Sequence, residues 1–144
     1  MIAIINYGVG NLFSLESSFN AINQDVRIIT DPDELNNYDR IILPGVGAFE
    51  DAAHKLFASG LAQPLLDEAA SGKPVLGICL GMQLLFTKSY EFGEHDGLNL
   101  IPGSVRPISE VIPEGLKIPQ MGWNALHLTQ GGGFQEWTDW QECV

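Results

Sequence analysis

Positive charge is scarce in this chain. Of its 144 residues only 7 are Lys or Arg, against 18 Asp or Glu, for a net charge of -11. So acidic a surface repels phosphate backbones, which makes nucleic acid and anionic membrane poor partners. Cysteine is nearly as rare. Cys79 and Cys143 are too few for a disulfide framework, and a free cysteine fits a reducing, cytoplasmic setting. No apolar run approaches the roughly 20 residues that span a bilayer. Met1-Ile2-Ala3-Ile4-Ile5 carries no basic leader and passes straight into a polar turn, so it reads as a first strand rather than a signal peptide. There is no G-x-x-x-x-G-K-[ST] loop and no G-x-G-x-x-G after a strand. His and Cys spacing suggests no metal site, and no cofactor is expected.

What is present fits one domain with a real core: 144 residues, 45% apolar. Short apolar runs alternate with helical patterns. Residues 1–6, 26–30, 40–43 and 75–78 read as strands. Asn11 is placed to cap a helix with Leu12, Leu15, Phe19 and Ile22 on one face. Phe49, Ala52, Ala53, Leu56 and Phe57 form an amphipathic stripe that Gly60 ends. Pro64 suits the first turn of another helix, closed by Gly72, and Met82 to Phe86 are expected in a further helix. The order β-α-β-β-α-α-β-α argues for an α/β fold, a doubly wound parallel sheet with helices on both faces. After residue 88 the pattern shifts to glycine, proline and short β-like pieces, at 103–108 and 123–128, expected as a small antiparallel extension at the edge of the main sheet. Residues 129–144 are glycine-rich, lack Lys and Arg, and read as an atypical tail after a domain of residues 1–128.

The most telling stretch is Gly77-Ile78-Cys79-Leu80-Gly81. A nucleophile between a strand and a helix, with glycine two residues to either side, is the pattern of a nucleophile elbow. Partial positive charge at the start of a helix favours a thiolate over a thiol. Attack on a carbonyl creates an oxyanion that needs preorganised donors. One is expected from the backbone N–H of Leu80, a second from Val46 and Gly47 in the Pro44-Gly45-Val46-Gly47 loop. Both segments follow strands, so both face the crevice where α/β sheets bind ligands. Against this stands the small buried cysteine with no chemical role; the strand, helix and paired glycines together favour catalysis. A base is harder to find. His54 falls on the polar side of its helix. His95, between Glu94 and Asp96, is expected in an exposed loop. His127, in a strand-like segment, is the one conceivable candidate.

Gly77-Ile78-Cys79-Leu80-Gly81-Met82-Gln83 resembles the nucleophile motif of class I glutamine amidotransferases. Three other stretches narrow the resemblance: Asn6-Tyr7-Gly8-Val9-Gly10-Asn11-Leu12, Pro44-Gly45-Val46-Gly47-Ala48-Phe49 and Pro119-Gln120-Met121-Gly122-Trp123-Asn124. They are similar to the glutaminase subunits of imidazole glycerol phosphate synthases. The resemblance covers residues 1 to about 128. It implies a flavodoxin-like α/β fold and hydrolysis of glutamine to glutamate and ammonia through a thioester on Cys79. It further implies a heterodimer in which ammonia passes to a (β/α)8-barrel cyclase of histidine biosynthesis. Gln83 and Glu91 match residues that hold the substrate glutamine. Asn11, Gln120 and Trp123 match the surface that faces the cyclase. The family commonly has His where this chain has Gln120. Its catalytic His and Glu lie in a segment near a His-Ser-Tyr-like motif that this sequence does not contain, so the 144-residue chain is expected to be incomplete at its C-terminus and inactive alone. Two other readings stay open: a non-catalytic module that docks on the cyclase, and another α/β cysteine hydrolase.

Overall fold

The computed structural model describes residues 1–119. Expectations for Gln120, Trp123, the strand at 123–128, His127, Cys143 and a boundary at residue 128 lie outside the described residues. Met1–Val111 forms one compact unit and a second begins at Ile112, in which residues 112–119 carry neither helix nor strand.

The first unit is built on four parallel strands, β1 (Ile2–Ile5), β2 (Val26–Ile29), β3 (Arg40–Leu43) and β4 (Val75–Gly77), in the order β2-β1-β3-β4. Alternation along β1 divides the core. Ile2 and Ile4 join Val26 and Ile42 on one face, packed by Leu12, Leu15 and Phe19 of α1 (Leu12–Ala21). Ala3 and Ile5 join the larger cluster on the other face with α2 (Phe49–Ala58) and α3 (Ala62–Ala70). Period-two burial on both sides is the mark of a covered parallel sheet. Asn11 caps α1 as expected, its Oδ1 accepting from Ser14 N at 3.2 Å. Phe49, Ala52, Ala53 and Leu56 bury the predicted stripe of α2, while Phe57 at its end is half exposed. A short 3-10 helix, Pro32–Asn37, begins where Asp31-Pro32-Asp33 breaks the chain.

Two expectations are corrected beyond β4. The helix after Cys79, α4, spans only Leu80–Leu84, and Phe86 opens a strand instead of closing that helix. The extension is a mixed sheet, not an antiparallel one. β5 (Phe86–Ser89) lies between β6 (His95–Asp96), antiparallel to it, and β7 (Ile101–Val105), parallel to it. The reason is non-local pairing. Leu98 N donates to Leu84 O at 2.8 Å and Leu100 N to Leu85 O at 2.9 Å, so the carbonyls that would extend the helix serve another segment.

Candidate active site

Cys79 follows Ile78 in the two-residue turn between β4 and α4 with φ 56° and ψ -120°, and it is exposed. A non-glycine residue in this region stores roughly 1–3 kcal/mol of backbone strain, tolerated where surrounding structure enforces it. The enforcement comes from three glycines. A Cβ on Gly77 would lie 2.5 Å from Met82 Cα, and one on Gly81 only 1.9 Å from Leu43 O. One on Gly45 would lie 2.5 Å from Gly81 N and 2.9 Å from Leu80 C. Real Cβ atoms do not approach backbone so closely, so each position requires glycine. The same contacts place the loop after β3 directly against the elbow.

Within that loop Val46 is 54% exposed and Gly47 adopts φ +94° with open space around it. The Leu80 side chain is buried, which anchors its backbone at the turn. Gln83 follows one turn later, half-buried, its N–H donating to Cys79 O at 3.2 Å. Glu91 comes in from the turn after β5. Its Oε2 accepts from Phe49 N at 2.7 Å, and its own N–H donates to Ser89 Oγ at 3.2 Å. The carboxylate therefore caps α2, whose preceding residue, Ala48, has no side-chain acceptor to offer.

Sequence reasoning missed Tyr7. The residue belongs to the Asn6–Leu12 stretch quoted above, but nothing local marks what its hydroxyl does. It is 5% exposed, and its Oη donates to Pro44 O at 2.7 Å across 37 residues. Burial pushes the hydroxyl above the usual phenol range, so it remains a donor. Gly10 packs on the same proline, 3.0 Å from Pro44 Cβ to the position a Cβ would take.

The histidines divide. His54 is exposed on α2, as expected. His95 is not the exposed loop residue expected. It sits in β6, with its side chain 18% exposed, Nδ1 3.9 Å from Glu50 Oε1, and Nε2 buried without a partner. Strand alternation turns His95 inward while Asp96 points out. Among the described residues neither imidazole hydrogen-bonds Cys79, and no three His, Cys, Asp or Glu side chains gather as a metal site. Among the described residues no helix is long and apolar enough to cross a membrane.

The family model for class-I glutamine amidotransferases matches residues 3–137. Among curated relatives, an imidazole glycerol phosphate synthase subunit HisH from Wolinella succinogenes is 52% identical over 128 residues, 88% of this chain and 62% of its own length. The subunit HisH of Syntrophotalea carbinolica is 45% identical over 147 aligned positions, covering 100% of this chain and 71% of its own. The chain thus spans about two thirds of the relatives it matches. A crystal structure of a glutamine amidotransferase superposes with a TM-score of 0.63 at 14% identity, over 74% of this chain and 56% of that one, which supports the fold.

Proposed function

The chain belongs to the class I glutamine amidotransferase family, and from that premise we propose that it serves as the glutaminase subunit of an imidazole glycerol phosphate synthase. One observation carries the chemistry: an exposed thiol on a strained elbow, in contact with a glycine-containing loop. In the proposed reaction the Cys79 thiolate attacks the side-chain carbonyl carbon of glutamine. A C–S bond forms and the carbonyl π pair moves to oxygen. Leu80 N–H and an N–H of the Val46–Gly47 segment stabilise that oxyanion. Its collapse breaks the C–N bond, and the nitrogen leaves as ammonia after gaining a proton. Water then cleaves the γ-glutamyl thioester to glutamate and restores the thiol. Gln83 contacts the substrate, and Glu91 holds its α-amino group through the carboxylate oxygen that α2 does not use. Asn11, Gln120 and Trp123 face a cyclase partner that takes the ammonia.

Both steps need a proton carrier, and the described residues bring no hydrogen-bonded imidazole to Cys79. On this reading the carrier comes from outside residues 1–119, and those residues by themselves should release little glutamate even with a cyclase present. The alternative is a module that docks on the cyclase without making ammonia. Labelling with 6-diazo-5-oxo-norleucine, a glutamine-shaped alkylating agent, tests the first. One equivalent should add to Cys79, excess glutamine should block it, and Cys79→Ala should abolish it. Labelling indifferent to glutamine would sink the glutaminase reading. Cyclase affinity that survives Cys79→Ala, without any labelling, would establish the docking module.

A further inference from the structure

The loop Pro44–Phe49 is held at both ends by side chains remote in sequence. Tyr7 Oη grips Pro44 O at 2.7 Å in a buried bond, and Glu91 Oε2 grips Phe49 N at 2.7 Å. Between the pins Gly45 is wedged against Leu80 and Gly81, whereas Val46, Gly47 and Ala48 are exposed. Gly47 in particular has a positive φ and nothing within 4 Å of where a Cβ would be. A segment so open has little packing of its own to fix its peptide planes. Its orientation is set by its ends.

We propose that Tyr7 and Glu91 are positioning residues for the second oxyanion donor, fixing the Val46–Gly47 peptides relative to Cys79 by pinning the loop at Pro44 and Phe49. This rests on the glutaminase reading of Cys79. For Glu91 it adds a task separate from any contact with substrate. The Tyr7 hydroxyl is suited to it because a buried phenol that stays protonated always donates, and Pro44 O is a buried acceptor that needs a donor. Phenylalanine would fill the same space and leave the loop's first carbonyl free to rotate.

The test separates oxyanion stabilisation from thiol reactivity in the 144-residue chain. With p-nitrophenyl acetate, the Cys79 thiolate forms a C–S bond at the carbonyl carbon, and the tetrahedral oxyanion expels p-nitrophenolate, leaving acetyl-Cys79. With iodoacetamide, the thiolate displaces iodide directly and no oxyanion forms. The acetyl ester has no α-amino group, so a substrate-binding role of Glu91 does not enter. Tyr7→Phe should slow the Cys79-dependent burst of p-nitrophenolate by about tenfold or more, since loss of a whole donor costs roughly 10²–10³. Its alkylation by iodoacetamide should stay within about twofold of the parent rate, because no oxyanion donor acts in that reaction. Glu91→Ala should show the same split and serves as the second variant if Tyr7→Phe does not fold. Equal bursts in parent and variants, or an equal fall in both reactions, would overturn the positioning role alone. A parent chain with no burst that depends on Cys79 would instead overturn the glutaminase reading beneath it.

Discussion

Gly81 and Leu43 O meet across the elbow at a separation no side chain could share: a Cβ on Gly81 would sit 1.9 Å from that oxygen. The backbone of α4 thus rests directly on the end of β3, and the position of Cys79 follows from that contact. Gly81→Ala should push the elbow off the strand. Overpacking of this kind costs typically about 1–3 kcal/mol and here meets rigid backbone rather than a flexible side chain. Urea unfolding should show a lower midpoint, and acylation of Cys79 should fall. Gly72→Ala, at φ +94° with nothing within 4 Å, is the comparison. It should lose stability through strain while leaving acylation unchanged. A Gly81→Ala protein with parental stability and acylation would refute the interlock.

Cys79 itself should be a destabilising residue kept for its sulfur. At φ 56° and ψ -120° a Cβ is strained, and glycine is not. Cys79→Gly should therefore be about 1 kcal/mol more stable than Cys79→Ala, after allowing for the greater chain entropy glycine loses on folding. Both variants should be equally dead toward p-nitrophenyl acetate. Denaturant melts of the two proteins side by side decide it, and an alanine variant as stable as the glycine variant would show that the turn is unstrained.

The elbow was legible in the sequence because its requirements are local: a strand, a nucleophile, two glycines and a helix within a few residues. The stripe of α2 was legible for the same reason. Phe86 misled, because Leu84-Leu85-Phe86 continues an apolar helical run, and it is donors remote in sequence, from Gly97 through Ile101, that take up the carbonyls of residues 84–87. His95 misled because its charged neighbours suggested solvent, whereas pairing of Ser89 with His95 fixes an alternation that faces it inward. Tyr7–Pro44 and Glu91–Phe49 span 37 and 42 residues, so no local spacing could reveal them. The strand order that places the loop after β3 beside the elbow was not legible either, though both segments could be assigned to strand ends, where ligands bind in such sheets.

The Glu91 cap should be measurable apart from chemistry. An acceptor at a helix N-terminus contributes roughly 0.5–2 kcal/mol, and a charged one lies toward the upper part of that range. Glu91→Gln keeps an oxygen for Phe49 N and should lose little stability. Glu91→Ala leaves the first amide of α2 without its side-chain partner and should lose about 1 kcal/mol or more. Hydrogen exchange should quicken at Phe49 in the alanine variant and stay slow in the interior of the helix. If Gln and Ala behave alike in both measurements, the bond from Glu91 to Phe49 contributes nothing.

The charge pairs of the surface predict an acid limb that responds to salt. Lys88 and Glu94 form an ion pair beside β5 and β6. Hydrogen bonding and then Coulomb attraction to Lys88 hold Glu94 below its ordinary 4.5, and the same two effects from Glu94 raise Lys88 above 10.5. Asp39 is likewise held below 3.8, first by its hydrogen bond to the N-terminal amine and then by that charge. A carboxylate whose folded pKa is depressed stabilises the fold above its unfolded pKa and loses that contribution as pH falls through the folded value. The raised lysine acts in the other direction, contributing below 10.5 and losing its contribution as pH rises past its folded pKa. Lys88→Met should therefore flatten the fall in Tm as the pH drops below Glu94's ordinary 4.5 and through its lowered folded value, and leave the rest of the acid limb to Asp39 and other carboxylates. All three groups are exposed, so about 0.5 M salt should shrink the difference between parent and variant. Acid limbs that superimpose at low salt would mean that Lys88 and Glu94 do not stabilise the fold.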